Sequence, residues 1–302
     1  MLVTNDNKNI DYVEIGARLR SYRIGRRISP EELSARLHIS RAALYRAEKG
    51  EISKIEMLHS IAVELDVSLP TLLGVGVEYI DNAISFFERM RQIEDECDQI
   101  IGMFSPVSYL LTSPEYDIAL EDILRESLAS DEDDNVSALL DVLKQRKTKF
   151  QKRRPLIASI VSSLDLIHFL RSGLEGGRDA PKDILDKRRQ SALVEVQHIR
   201  KLVAEPEIGV QIGIASEPIP STSFQIVRQR TKSTVTISPF RLGQNPNIRN
   251  GVGLITSAPE ALNLHENIAE RLWSSSMRGA DAVRHLDELL DEYGPLDGVS
   301  HK

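Results

Sequence analysis

The sequence has few of the residues that mark a secreted or membrane protein. It contains a single cysteine, Cys97, in 302 residues, so it has no internal disulfide and no metal site built from cysteines alone. No apolar run approaches the ~20 residues that span a bilayer. The N-terminal residues 1–12 lack the charged-then-apolar order of a secretory signal. These absences predict a cytoplasmic protein without a membrane partner.

The residues that most often carry catalysis or bind metals are also sparse. The seven histidines have no spacing typical of a metal site, and none belongs to a His-x-Lys pair. Cys97 would need a partner chain to act as a redox switch, and the alternative, an inert helix residue, is favoured. We therefore expect no catalytic residues, no metal and no cofactor.

Residues 28–50 have the pattern of two short helices joined by a tight turn. Ser29 is a good N-cap, Pro30 suits the first helical position, and Glu32 completes a capping box. Ser40 provides a second N-cap, and Gly50 ends a helix over Arg41–Lys49. In this second helix Leu44 and Ala47 face inward, and the outward positions are Arg41, Ala42, Tyr45 and Arg46.

Apolar residues at helical spacing surround this pair of helices. They predict a helix before it, a helix after it and a short fifth helix, through Ile15, Leu19 and Tyr22, then Ile55, Leu58, Ala62 and Leu65, then Val67, Leu69, Leu72 and Leu73. Residues 1–75 are therefore expected to form an all-α, five-helix domain.

The segment from about Ile15 to Leu73 resembles the Cro/C1-type (XRE) helix-turn-helix family. The family pattern is present as Leu19-Arg20-Ser21-Tyr22-Arg23, Leu33-Ser34, Ile39-Ser40 and Glu48-Lys49-Gly50. The chain departs from it at His38, where the family usually has glycine because φ is positive; histidine tolerates this conformation better than most residues.

The resemblance implies a DNA-binding function and a role for each matching residue. It places Arg41, Ala42 and Arg46 at base edges with Tyr45 beside them, and arginine can bridge guanine O6 and N7. Ser40, Lys49 and Lys54 would contact phosphates, whereas Arg23 and Glu48 would form a structural ion pair. The alternative, a solvated helix face, is usual for an arbitrary charge cluster.

The charge distribution agrees with a DNA-binding role for the N-terminal domain. Residues 1–75 contain 11 Lys and Arg against 10 Asp and Glu, whereas the remainder contains 27 against 35. The chain as a whole is acidic, with a net charge of −7. Binding therefore needs a local positive face and should weaken with salt.

The rest of the chain is expected to form an α/β (α+β) regulatory domain. Residues 77–97 predict a long amphipathic helix, and residues 76–98 would then connect or dimerise the domains, with a core-facing helix as the alternative. Residues 99–302 would form the sensor and oligomerisation domain. Within it we expect a strand at 99–104, a helix capped by Ser113, helices split at Pro155, a helix over 181–204, and strands near 210–215, 224–228, 234–238 and 251–256.

Two pairs of segments in this region are similar to each other. IIGMFSP at 100–106 is echoed by TVTISPF at 234–240, and LLTSPEYDIALEDILRESL at 110–128 by LITSAPEALNLHENIAERLW at 254–273. They suggest an internal duplication, although short echoes between capped helices also arise by chance. From about Val77 to Leu290, the order of elements and the late Trp273 resemble a phospholipase-D-like sensor domain. That fold is catalytic where it carries His-x-Lys, which this chain lacks.

Two arginines are candidates for contact with an effector. Arg241 follows a predicted strand end, where pockets in α/β sheets often open, and Arg249 precedes the next strand. A surface arginine or an ion pair is the alternative for both. The basic run at 144–154 would contact flanking DNA or form a solvated face paired with the acidic loop at 129–135.

The sequence thus predicts a transcriptional regulator located with the nucleoid. One short recognition helix contacts few bases, so we expect a homodimer or higher even oligomer on a pseudo-palindromic operator, with a possible small-molecule effector. The alternatives are a self-cleaving phage-type repressor, whose Ala-Gly or Cys-Gly cleavage site does not occur here, and a protein with a catalytic phosphodiesterase-like domain.

Overall fold

The structure is a computed structural model that describes residues 11–52, 54–126, 133–174, 181–243 and 247–294. The chain divides into two compact units, Met1–Glu78 and Tyr79–Lys302. The roles predicted for residues 76–98 and 99–302 stay predictions.

The first unit is helical throughout its described part, apart from the start of a strand at its end. Its helices are α1 (Tyr12–Gly25), α2 (Pro30–Arg36), α3 (Arg41–Glu48), α4 (Ile55–Glu64) and α5 (Leu69–Leu73). Short polar side chains cap four of them, because Asp11, Ser29, Ser40 and Ser68 each accept a hydrogen bond from a first-turn backbone N–H. The apolar positions predicted from helical spacing form the core, with Ile15, Leu19, Leu33, Leu44, Leu58 and Leu65 all buried.

The second unit combines helices with a mixed sheet. Its elements are β1 (Val77–Ile80), α6 (Ala83–Glu94), β2 (Cys97–Phe104), a 3₁₀ turn (Tyr109–Leu111), α7 (Pro114–Glu126), α8 (Asp133–Arg153), β3 (Leu156–Ser162), α9 (Ser163–Ser172), α10 (Lys182–Ala204), β4 (Val210–Ala215), β5 (Ser223–Gln229), β6 (Ser233–Ser238), β7 (Gly253–Thr256), α11 (Pro259–Ser275) and α12 (Gly279–Tyr293). The first two residues of β1 belong to the first unit. The predicted fold class, a five-helix domain followed by an α/β domain, is confirmed.

Within the described ranges, seven strands form one sheet in the order β1-β7-β6-β5-β2-β3-β4. Strands β2, β3 and β4 run parallel and are joined by helical connections, whereas β5, β6 and β7 form an antiparallel meander beside β2. The carboxyl end of β2 therefore lies beside the start of β5 and the end of β6.

The two faces of the sheet differ in composition. On one face Met103, Phe224, Ile226 and Val235 pack with Ala269 and Leu272 of α11 in a buried apolar cluster. On the opposite face the pairing register aligns Gly102, Gln225 and Thr236 across three neighbouring strands. Helix α6 covers this second face, since its Glu94 accepts a hydrogen bond from Gln225.

The single helix predicted over residues 77–97 is wrong at both ends, since α6 ends at Glu94 and Cys97 is the first residue of β2, so Cys97 is not a helix residue. Residues Val77–Ile80 form β1, because the segment is rich in β-branched and aromatic side chains, and Asn82 then caps a shorter helix by accepting from the Ser85 N–H. Most side chains of α6 are buried in the second unit, which favours the core-facing alternative.

The helices predicted on the two sides of Pro155 are present as α8 and α9, but the sequence did not predict the strand that lies between them. Helix α8 ends at Arg153, but the residues after Pro155 form β3 before the chain enters α9. Strand β3 lies between two parallel neighbours, and its buried side chains form a continuous apolar run that periodicity cannot distinguish from a helix.

The segments that suggested a duplication fold differently. Residues Leu110 and Leu111 lie in the 3₁₀ turn that precedes α7, whereas the corresponding Leu254 and Ile255 lie in strand β7. The similarity reflects a shared Ser-Pro at a strand end and a proline at the start of each helix, so it does not extend to a repeated topology.

Candidate DNA-binding interface

The α2–turn–α3 segment has the geometry that its capping residues predict. The Glu32 backbone N–H donates to Ser29 Oγ (3.1 Å), and the Ala43 N–H donates to Ser40 Oγ (3.1 Å). In the turn between the helices His38 has a φ of +53°, the left-handed conformation for which glycine is usual. The segment therefore accommodates histidine there at some conformational cost.

Helix α3 is held against α1 by a close backbone approach. A Cβ atom added at Gly16 would lie 2.6 Å from the carbonyl oxygen of Ala47 and 2.7 Å from that of Glu48. Leu44 and Ala47 are buried on the same side of α3. The absence of a side chain at Gly16 thus sets how closely α3 approaches α1. The sequence did not indicate this role of Gly16, because a single glycine within a helix does not reveal which other helix it will contact.

The structure brings Arg23 and Glu48 together in a bidentate ion pair. Arg23 Nε lies 2.6 Å from Glu48 Oε1, and Nη2 lies 3.2 Å from Oε2. Arg23 also donates to the carbonyl of Ile28 (3.0 Å), and both side chains are largely buried. The pair therefore ties the end of α3 to α1 and to the residue that precedes the α2 cap.

The outer face of α3 is exposed and cationic. The side chains of Arg41, Ala42, Tyr45, Arg46 and Lys49 lie on the surface, as does that of Lys54 at the start of α4. Among the described residues, Arg46, Lys49 and Lys54 have no ion-pair partner. Arg41 differs, because its guanidinium forms an ion pair with Glu31 of α2, in which the side chains are 59% and 50% exposed.

Ser40 already has a structural role as the cap of α3. Its oxygen accepts the Ala43 N–H, but the hydroxyl proton remains able to donate. The side chain can therefore cap the helix and contact a phosphate oxygen at the same time.

A second buried arginine closes the C-terminal end of this unit. Arg18 Nε donates to Glu78 Oε1 (2.6 Å), and the guanidinium lies where a side chain at Gly74 would be. Sequence reasoning missed the pair, since sixty residues separate the two partners and no periodicity joins them.

Of the two effector candidates, the structure places Arg241 beside a pocket. This pocket opens at the carboxyl end of β2 and is lined by α6, β5, β6 and the segment after β2. Arg249 is exposed in the loop before β7 and is not among the described residues that line the pocket. The two arginines therefore do not share one site.

The basic run at 144–154 is partly a core feature. Arg146 and Lys147 are buried, and they contact Glu94 and Asp117 within the second unit. A solvated face paired with the acidic loop is therefore wrong for these two residues. Residues 129–132 of that loop lie outside the described part of the chain.

The Cys97 thiol is buried, and its pKa is raised to about 12. Burial away from water is the main cause, and the nearby Glu94 carboxylate adds to it. Such a thiol stays protonated at neutral pH, and this does not favour a redox role.

Two further features concern the described residues as a set. No group of three or more His, Cys, Asp or Glu side chains among them is arranged to hold a metal ion. None of the helices described has the length and apolar character required to cross a bilayer.

Comparison with known proteins identifies the N-terminal segment. Residues 14–72 match the family model described as "Helix-turn-helix domain". This part of the chain is a helix-turn-helix domain. The match covers less than half of the chain, so it leaves the second unit unassigned.

Solved structures of regulators are similar to the chain only at a low level. The apo form of ComR from S. thermophilus is 16% identical, with 63% of this chain and 72% of that chain covered and a TM-score of 0.20. The apo form of the competence regulator ComR from Streptococcus vestibularis is also 16% identical. The match covers 63% of this chain and 71% of that chain, with a TM-score of 0.20. No curated protein matches the chain.

Proposed function

We propose that the protein is a sequence-specific, DNA-binding transcriptional regulator of the Cro/C1 type. The observation that carries this proposal is the exposed cationic face of α3, on a helix whose other side is fixed by Gly16 and the Arg23–Glu48 pair. A rigidly held helix with outward arginines fits the major groove. The match of residues 14–72 to a helix-turn-helix domain supports the same function.

In this proposal the outer face of α3 reads the bases. Arg46 has no competing partner among the described residues, so its guanidinium is available to bridge guanine O6 and N7. Arg41 reads a second base after it leaves Glu31, and Ala42 and Tyr45 contribute apolar contacts. Ser40, Lys49 and Lys54 contact phosphates and set the register of the helix on DNA.

We further propose that two copies bind a pseudo-palindromic operator. One α3 contacts only a few base pairs, so a single head binds weakly and the affinity comes from two half-sites. The second unit would supply the dimer contacts and respond to a ligand. Its mixed sheet with an antiparallel meander followed by α11 and Trp273 supports a resemblance to a non-catalytic phospholipase-D-like sensor domain.

The test is a selection of binding sites from random DNA, followed by fluorescence anisotropy with the selected site. Replacing Arg46 with alanine should weaken specific binding by about 5- to 150-fold. Glu31→Gln should strengthen it by up to about fivefold, because it releases Arg41 from an exposed ion pair.

Arg284→Ala is the matched control, since it removes an exposed, ion-paired arginine from α12. It should leave the affinity unchanged. Specific binding that survives the loss of Arg46, or a selection that enriches no sequence, would contradict the proposal. Light scattering that finds one protein copy per operator would reject the dimer.

A further inference from the structure

The pocket beside Arg241 has polar residues of the sheet in its lining. Gly102, Gln225 and Thr236 form a row across β2, β5 and β6, on the face that α6 covers. A Cβ atom at Gly102 would lie 2.6 Å from the ring of Phe104 and 3.0 Å from Cβ of Gln225. The ring of Phe104 therefore fills the place that a side chain at Gly102 would occupy, and Gln225 and Thr236 are the residues of this row that line the pocket.

Gln225 is held in one orientation by a buried ion pair. Its Nε2 donates to Glu94 Oε1 (2.8 Å), and Glu94 also accepts from Arg146 at 2.7 Å and 3.0 Å. Because a carboxylate only accepts, the amide nitrogen must face Glu94, which fixes the position of Oε1. Glu94 and Arg146 balance each other's charge, so this part of the wall is neutral overall.

Two polar atoms of the pocket walls are buried without a partner. Gln225 Oε1 and Ser108 Oγ make no hydrogen bond to any described residue, although both residues are only 2% exposed. Ser108 stands at the N-cap position of the 3₁₀ turn, yet its hydroxyl does not cap that turn. Leaving such groups unpaired costs about 1–3 kcal/mol each. They thus mark a place where a ligand can restore hydrogen bonds.

The remaining walls are apolar and aromatic. Phe87, Met90, Phe104 and Phe240 line the pocket, and the rings of Phe87 and Phe240 have centroids 6.4 Å apart. The cavity volume is about 70 Å³, well above the ~10–15 Å³ that one water molecule needs on the same measure. The pocket is partly open to solvent, so its inner part fits a small head group while an apolar body lies toward the opening against the aromatic rings.

We propose that this pocket is the effector site and that it binds a small uncharged molecule with a hydroxyl or amide N–H head group on an apolar, ring-sized body. The head group donates to Gln225 Oε1 or bonds to the Ser108 hydroxyl, and the body packs on Phe104 and Phe240. The assignment of an effector role rests on the proposed regulatory function. The binding chemistry does not, because it follows from the pocket itself.

The ligand class is tested with three matched probes on the full-length protein, by ligand-observed NMR titration. Benzyl alcohol carries the required head group, toluene lacks the hydroxyl, and benzoate places an anion near Arg241. Benzyl alcohol should bind at least about fivefold more tightly than toluene, because toluene leaves the buried polar groups unpaired. Tighter binding of benzoate that is lost in Arg241→Gln would overturn the uncharged class in favour of an anion.

Ser108→Ala tests the site without removing a structural bond. The variant should be as stable as the wild type or slightly more stable, because the lost hydroxyl has no partner. Its affinity for benzyl alcohol should fall about fivefold or more. The matched control is Ser159→Ala, since Ser159 Oγ is also buried and unpartnered among the described residues. Ser159 lies on β3, one strand beyond β2 from Gln225, and is not among the residues that line the pocket.

Gln225→Met provides a second variant of similar shape, which should also weaken benzyl alcohol binding. If no probe binds, or if Ser108→Ala and Ser159→Ala lower the affinity equally, the pocket holds only water and the proposal is wrong. These titrations contain no DNA, so their failure is separate from a failure of operator binding. Anisotropy measured with and without benzyl alcohol then shows whether the occupied pocket changes operator affinity, and an unchanged affinity would reject the effector role.

Discussion

The Cys97 side chain illustrates how one buried position changes the chemistry of a residue. An isolated cysteine in a sequence leaves a redox role open, but here the thiol is enclosed beside Glu94, and its pKa rises from an ordinary value of 9.0 to about 12. The proton is therefore retained more strongly in the folded state than in the unfolded chain. This difference links the thiol to the stability of the protein.

Because of this thiol, we predict that the free energy of unfolding falls as the pH rises. Below pH 9 the thiol is protonated in both states, whereas between about pH 9 and 12 only the unfolded thiol ionises, which favours unfolding. Urea unfolding measured across this range should show a steeper loss for the wild type than for Cys97→Ala. Identical slopes would mean that the thiol is more accessible than its burial indicates.

The packing of α1 on α3 depends on the absence of a side chain at Gly16. In an ordinary helix interior, replacing glycine with alanine stabilises by about 1 kcal/mol. At Gly16 the new methyl group would meet the backbone of α3, which cannot move aside without shifting the whole helix.

Gly16→Ala should therefore destabilise the protein, by about 1–3 kcal/mol, and weaken DNA binding with it. Chemical denaturation followed by circular dichroism measures the first effect, and anisotropy the second. The sign of the change in stability decides the question. A gain in stability would show that α1 and α3 do not approach as closely as the structure places them.

Local signals account for what the sequence could predict about these elements. The caps at Ser29 and Ser40 lie within three residues of the groups they bind, so the bounds of α2 and α3 are readable from the chain. Strand β3 could not be predicted in this way, because its apolar run fits a helix equally well. The row of Gly102, Gln225 and Thr236 exists only once strand order and register are known.

The molecule as a whole carries charge that opposes its proposed partner. Its net charge is −7, and the excess of acidic residues lies outside residues 1–75. Long-range repulsion from DNA must therefore be overcome by close contacts on the α3 face. Such contacts are sensitive to salt.

We predict that log K for the selected operator falls linearly with log salt, with a slope of about −0.9 for each neutralised phosphate. Lys49→Ala should reduce the slope by about one for each bound head, whereas Arg284→Ala should leave it unchanged. A slope that is the same in all three proteins would remove Lys49 from the phosphate contacts.

Arg41 will behave differently from Lys49 in such a titration, because Glu31 acts as its tethered counterion. When a DNA phosphate replaces Glu31, a sodium ion leaves the phosphate, but the released carboxylate stays close to the DNA and its negative charge attracts cations in turn. The net release of ions is therefore smaller for Arg41 than for Lys49, so the Arg41 contact adds specificity with little effect on the slope of log K against log salt. The number of ions that a salt titration counts will therefore be smaller than the number of cationic side chains at the DNA, by up to about one for each head.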